Sequence, residues 1–123
     1  MNLIAAWVGI LLGFLSGTAA GLFFHHEQWL GGYPSWRRRM VRLGHISFFG
    51  LGFINLGYAL TLRALDLPAP HPWPAWLFVI GAATMPLVCY LSAWRKPLRH
   101  LFAVPVLSLV VGAIIFLFGD LLP

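Results

Sequence analysis

The sequence predicts an all-α integral membrane protein, with four transmembrane helices in an up-down bundle. The first indication is composition: 60% of the 123 residues are hydrophobic, 9% are charged, and the mean hydropathy is +0.85. A soluble domain carries about 25% charged residues, so this chain lacks the side chains for a water-facing surface. The second indication is a set of four apolar runs without Asp, Glu, Lys or Arg, each close to the roughly 20 residues that cross a bilayer.

Each run is expected to be a helix, because backbone polar groups in lipid must pair within their own segment. The expected helices span about 3–24, 43–62, 75–94 and 101–118, within a single domain of residues 1–123. The first run has no basic segment before it and is longer than the roughly 7–15 apolar residues of a signal peptide. We therefore expect it to remain as the first helix.

The basic residues predict the orientation of the helices. The loops after the first and third helices hold seven of them: Arg37, Arg38, Arg39, Arg42, Arg95, Lys96 and Arg99. The loop after the second helix holds only Arg63. The positive-inside rule places the seven-residue face in the cytoplasm and both termini outside, in a bacterial inner (cytoplasmic) membrane. Because the net charge of +5 lies in these short loops, a nucleic-acid partner is not expected.

Small and polar residues within the spans predict helix packing. Four glycines of the first helix recur every fourth residue: Gly9, Gly13, Gly17 and Gly21. Such a stripe lets another helix backbone approach closely, and we expect the second backbone to belong to the same chain. A partner protein or a flat cofactor is an alternative. Asn55 is expected near mid-membrane, where an unpaired amide is costly, so it predicts an interhelical hydrogen bond.

Four histidines are predicted at the cytoplasmic face, where three helices end or begin: His25, His26, His45 and His100. The simplest interpretation is that they are interfacial residues that bind lipid phosphate or water. A Zn, Cu or Fe centre that includes Glu27 is an alternative, although adjacent histidines on a helix point about 100° apart.

A b-type haem is the redox interpretation of the same cluster. His45 and His100 open the second and fourth helices at matching depth, so they are the candidate axial ligands of the haem iron. The second-choice ligands, and the arginines that could pair with the propionates, are His25, His26, Arg42 and Arg99. This arrangement resembles the general pattern of membrane b-type cytochromes, which hold haem between histidines on different helices. The resemblance implies electron transfer near the inner face.

Other function classes are disfavoured. The single cysteine, Cys89, excludes a CxxC thiol-disulfide oxidoreductase. The absence of a carboxylate in the predicted spans disfavours a proton-coupled drug exporter, and the scarcity of acids disfavours a glutathione-using enzyme. Without a complete catalytic motif, a membrane subunit or electron carrier is expected rather than a stand-alone enzyme. We expect a small subunit that binds haem b in a membrane redox complex. The alternative is a cofactor-free structural or assembly subunit, in contact with the bilayer and with other subunits or its own copies.

Overall fold

The structure is a computed structural model that describes residues 1–67 and 70–122, and this part of the chain is helical without strands. The four long helices are α1 (Asn2–Phe23), α2 (Trp36–Leu65), α3 (Pro72–Trp94) and α4 (Ala103–Ile115). A 3₁₀ helix, Lys96–Phe102, leads into α4, and a π-helical turn, Phe116–Leu121, continues it. The prediction of an all-α protein with four long helices is confirmed.

Each of the four helical stretches is long and apolar enough to cross a membrane, counting Lys96–Leu121 as one stretch. Their outward surfaces carry large apolar side chains, and Ile4, Phe53 and Leu107 are each more than half exposed. Surfaces of this kind aggregate in water and suit contact with lipid tails. The helices are therefore compatible with an integral membrane protein.

Helix α2 begins at Trp36, well before the predicted start near Leu43. Ser35 is its N-cap, because the Ser35 hydroxyl accepts a hydrogen bond from the Arg38 backbone N–H at 3.2 Å. Hydropathy alone misplaced this boundary, since arginines are polar but good helix formers. The basic residues 37–42 consequently lie on the first turns of α2 and not in a loop.

The fourth helical stretch extends past its predicted end to Leu121, so that Asp120 lies on its last turn. The Asp120 carboxylate accepts a hydrogen bond from the His71 backbone N–H at 2.9 Å and lies 2.8 Å from His71 Nδ1. Its side chain is only 3% exposed. An anion is favourable at the start of a helix, so this pair joins the last turn to the beginning of α3.

Consecutive helices run antiparallel and pack in chain order, α1 on α2, α2 on α3 and α3 on α4, with a smaller contact between α1 and α3. Within residues 1–67 and 70–122, α4 itself makes no comparable contact with α1 or α2, but the π-helical turn that continues it reaches α2, where the rings of Phe116 and Tyr58 meet edge-on with centroids 4.8 Å apart. The structure is therefore an open array along most of α4, which packs against α3, rather than the closed up-down bundle that the sequence predicted.

The glycine stripe of α1 faces α2, as predicted for packing within the chain. The glycines in contact are Gly9, Gly13 and Gly17. A Cβ atom added at Gly9 would lie 3.0 Å from the Phe48 carbonyl oxygen, and one added at Gly52 would lie 3.0 Å from the Ala6 carbonyl oxygen. The two backbones therefore touch at this level. Gly21 has open space around it.

Asn55 forms the predicted interhelical hydrogen bonds and is completely buried. Its amide nitrogen donates to the Phe78 carbonyl of α3 at 3.1 Å and to the Leu51 carbonyl of its own helix at 3.0 Å. The Asn2 amide of α1 donates to Asn55 Oδ1 at 2.8 Å and to the Ala75 carbonyl at 3.0 Å. One polar network thus connects α1, α2 and α3.

We expect Gly52→Ala to lower the free energy of unfolding by about 1–3 kcal/mol, because the new methyl group must push α1 away from α2. Gly50→Ala is the matched control on the same helix, since Gly50 has no neighbouring atom within 4 Å. It should leave stability unchanged or raise it by up to about 1 kcal/mol, because alanine is the better helix former. Unfolding in mixed micelles with increasing denaturing detergent measures both. Equal effects at the two positions would contradict the backbone contact.

Candidate functional site

Most of the charged side chains lie at one end of the molecule. At this end, which we call the arginine end, α1 and α3 finish while α2 and the 3₁₀ helix before α4 begin. Its basic residues are Arg37, Arg38, Arg39, Arg42, Arg95, Lys96 and Arg99. Its acid is Glu27, in the connection between α1 and α2. The charge asymmetry predicted from the sequence therefore concentrates at one end of the helical array.

Arg38 is the basic residue that the fold buries, with 3% of its surface exposed. Its guanidinium donates to the carbonyl oxygens of Phe24 at 2.9 Å, Glu27 at 3.2 Å and His26 at 3.4 Å. The carbonyls at the end of a helix have no donors from within the helix, and a cation there opposes the negative end of the helix dipole. Arg38 thus caps α1 and fixes the connection to α2.

Aromatic rings enclose the same guanidinium. The Arg38 Cζ atom lies 4.5 Å from the ring centroid of Phe24, 5.3 Å from that of Tyr33 and 5.6 Å from that of Trp29. Arg42, one turn along α2, has its Cζ 4.6 Å from the Tyr33 ring. Two cations therefore share one ring, and the attraction of each guanidinium to the negative ring offsets part of the repulsion between them.

No carboxylate neutralises these two arginines, because the one ion pair of the described residues is His71–Asp120, at the opposite end. Arg38 Nε is buried and has no hydrogen-bond partner. A buried charge is normally paired with an opposite charge. Here carbonyl dipoles and rings replace the counter-ion, and part of the positive charge stays uncompensated.

His45 lies within α2 and faces α1, away from the helix start that the sequence predicted for it. Its Nδ1 atom is 3.1 Å from the Ser16 hydroxyl oxygen, which itself donates to the Gly13 carbonyl at 3.1 Å. A hydroxyl has one proton, so when Ser16 donates to Gly13, His45 Nδ1 is the donor to Ser16 and Nε2 carries the lone pair, whereas in the other tautomer Nδ1 accepts from Ser16. The imidazole ring meets the Phe49 ring edge-on, with centroids 5.5 Å apart.

A shallow groove of about 430 Å³ lies beside His45 on the outer side of the α1–α2 pair. Its lining consists of Gly13, Phe14, Gly17, Thr18, His45 and Phe49. Added Cβ atoms at Gly13 and Gly17 would collide with the rings of Phe49 and His45. The space that these glycines open is thus filled by side chains of α2, and a porphyrin would not fit between α1 and α2 as they pack here.

The other predicted haem ligands lie apart from His45. His25 and His26 follow the end of α1, are exposed, and have ring centroids 4.0 Å apart. His100 and Arg99 are exposed in the 3₁₀ helix before α4, which packs against α3 and α4. No recorded contact brings His100 to His45, so their pairing at a haem iron stays a prediction. In the described ranges, no three side chains of His, Cys, Asp or Glu group together as metal ligands.

From the sequence, Tyr33 and Ser16 were not candidate site residues, and Arg38 was not distinguished from the neighbouring arginines. A signal for Arg38 was present, since Ser35 is a good N-cap and places Arg38 and Arg42 one turn apart on one helix face. Ser16 and Tyr33 carried no comparable signal, because their partners lie on other segments of the chain.

Comparison of the chain with protein-family models, with curated proteins and with solved structures finds no match.

We expect Arg38→Met to lower the free energy of unfolding by about 2 kcal/mol, since carbonyls that accepted charged hydrogen bonds lose their donor. Hydrogen exchange should also become faster in residues 24–35, the connection that Arg38 fixes. Arg39→Met is the matched control, because the neighbouring Arg39 is exposed. Equal exchange rates in the two variants would contradict the capping role.

Proposed function

We propose that the protein is a small integral membrane subunit that assembles, through exposed helix faces, with other membrane-embedded chains or with its own copies. The observation that carries this proposal is the open array. Helix α4 packs against α3, and large apolar side chains on its other faces are exposed, including Leu107, Val110 and Ile114. Lipid tails can cover such a face, and a second helical surface that packs closely on it would replace them.

The use of polar groups within the spans supports the same proposal. The Trp36 indole N–H donates to the Ser92 carbonyl at 2.8 Å, and the Ser108 hydroxyl donates to the Leu77 carbonyl at 2.6 Å. With the Asn2–Asn55 network, these bonds connect neighbouring helices. These hydrogen bonds hold neighbouring helices together. They differ from the polar path along which a transporter moves its substrate.

We further propose that the arginine end faces the cytoplasm of a bacterial cell, because basic residues are retained on that side of a membrane. The opposite end, with Arg63, Asp66 and Asp120, has no excess of basic residues.

A b-type haem at His45 is the second candidate, and the Ser16–His45 hydrogen bond favours it. Histidines that bind metals through Nε2 commonly donate Nδ1–H to a second residue that fixes the ring. His45 would be the first axial ligand and His100, His25 or His26 the other, and Arg42 and Arg99 would pair with the propionates. Bound haem would supply one-electron redox chemistry. Side chains of α2 fill the space between α1 and α2, so a haem at His45 would have to lie in the groove beside it.

Cysteine crosslinking tests the assembly proposal, because Cys89 is completely buried and leaves introduced thiols as the accessible ones. We expect Leu107→Cys, on the exposed face of α4, to give a discrete adduct in native membranes after its thiol is labelled with a maleimide benzophenone and irradiated, because the excited ketone inserts into a C–H bond of whichever chain lies next to it. Mass spectrometry of the adduct would identify a second copy or a different chain. Ser108→Cys is the matched control, because it faces α3 and should give none. Monomer alone at Leu107 and at exposed Ile4 and Phe53 on the other helices would contradict assembly.

An absorption spectrum tests the haem candidate independently. We expect protein from cells supplied with haem precursor to show a Soret band that shifts on dithionite reduction, with an α band. His45→Ala should lose these bands, one of His100→Ala, His25→Ala and His26→Ala should lose them and so identify the second ligand, and His71→Ala, at the opposite end, should keep them. A flat visible spectrum of the wild-type protein would eliminate the haem candidate and leave the assembly proposal intact.

A further inference from the structure

The two arginines that share the Tyr33 ring form a positive site of defined geometry. Arg38 is immobile, because three carbonyls and three rings hold its guanidinium. Arg42 is only partly buried, and no hydrogen bond from its side chain is recorded within the described residues. A guanidinium carries five N–H donors, so Arg42 can bind an anion without breaking an existing contact.

The surrounding charge leaves this site without a counter-ion. Glu27 contributes its backbone carbonyl to Arg38, and its exposed carboxylate forms no recorded ion pair. The other basic residues of the arginine end are exposed: Arg37, Arg39, Arg95, Lys96 and Arg99. The arginine end therefore carries seven positive side chains and one negative side chain, so the electrostatic potential at the site favours an anion.

A pocket of about 500 Å³ opens beside Arg38, in the connection between α1 and α2, and Arg42 adjoins it through the Tyr33 ring that both arginines contact. Gln28, Gly32, Tyr33 and Arg38 line it, together with Glu27. Tryptophans mark the same end of the helices, with Trp29 and Trp36 nearby, and such residues concentrate at the depth of lipid headgroups. Next to Arg42, the exposed Leu43 and Ile46 offer an apolar helix face along which an acyl chain can lie.

We infer that Arg38, Tyr33 and Arg42 form a binding site for the phosphate group of an anionic phospholipid in the leaflet at the arginine end. Arg42 donates to the phosphate oxygens, for which its planar fork is suited. Arg38 contributes its fixed, desolvated charge from behind the Tyr33 ring. The Glu27 carboxylate opposes the anion and limits its affinity. The lipid is favoured over a soluble anion because the site adjoins an exposed apolar surface.

The test measures lipid binding by the purified full chain in neutral detergent. Phosphatidylglycerol is titrated against phosphatidylcholine, with native mass spectrometry for bound lipid and the thermal midpoint as a second readout. We expect phosphatidylglycerol to bind saturably and to raise the midpoint, while phosphatidylcholine does neither. Arg42→Gln should weaken the apparent affinity about ten-fold or more, because it removes charge-assisted hydrogen bonds to the phosphate as well as a charge. Glu27→Gln should tighten it.

Arg37→Gln is the matched control, because it removes the same charge from the same end and the same helix but from an exposed residue. It should keep the affinity close to that of the wild type. Equal losses in Arg42→Gln and Arg37→Gln would overturn the site in favour of diffuse attraction to the whole end. Saturation by inorganic phosphate or glycerol phosphate at the same concentrations would overturn the lipid as ligand. Equal binding of the two lipids would overturn the selectivity for anionic headgroups.

Discussion

The backbone contact between α1 and α2 is the constraint on which the rest of the structure depends. In a bilayer the hydrophobic effect does not drive helices together, so association relies on close packing and on hydrogen bonds. Gly9 and Gly52 supply the close packing, because neither has a side chain to separate the two backbones. Asn55 supplies the hydrogen bonds, and its bond to Phe78 adds α3 to the pair. With these three helices fixed, α4 packs against α3 by apolar contact and by the Ser108 and Asp120 hydrogen bonds.

The two ends of the array are fixed by different kinds of polar interaction. At the arginine end, Arg38 satisfies carbonyls that α1 leaves without donors, and the surrounding rings exclude water from its charge. At the other end, Asp120 receives the first N–H of the α3 start and pairs with His71. In both places a side chain from one helical stretch forms hydrogen bonds with the backbone at one end of a different helix. The connections are thereby held in place, although the helix surfaces themselves are apolar.

The proposed function depends on which residues are used for packing within the chain and on which surfaces remain exposed. Gly9, Gly52 and Asn55 join helices of the same chain, as does the Trp36 hydrogen bond to Ser92, and this use of small and polar residues supports the proposed subunit. The exposed faces, the His45 groove and the double-arginine site remain available for other molecules. We propose a different occupant for each: another helix, a haem and an anionic headgroup. The exposed faces are separate from the two polar sites, whereas Arg42 is proposed for both a propionate and a phosphate and can bind only one of them at a time.

The sequence by itself determined the four apolar helices, the concentration of basic residues at one end, the glycine packing and the hydrogen bonding of Asn55. These features depend on composition and on helical periodicity, which are local properties of the chain. Only the tertiary structure decided that Arg38 is buried while Arg37 and Arg39 are exposed, that Asp120 is covered, and that α4 packs against α3. It also decided that His45 faces Ser16, whereas no recorded contact brings His100 to it. The physical reason is that these outcomes depend on partners far away in the chain. Adjacent residues of one helix point in directions about 100° apart, and only the packed neighbours determine which of them is covered.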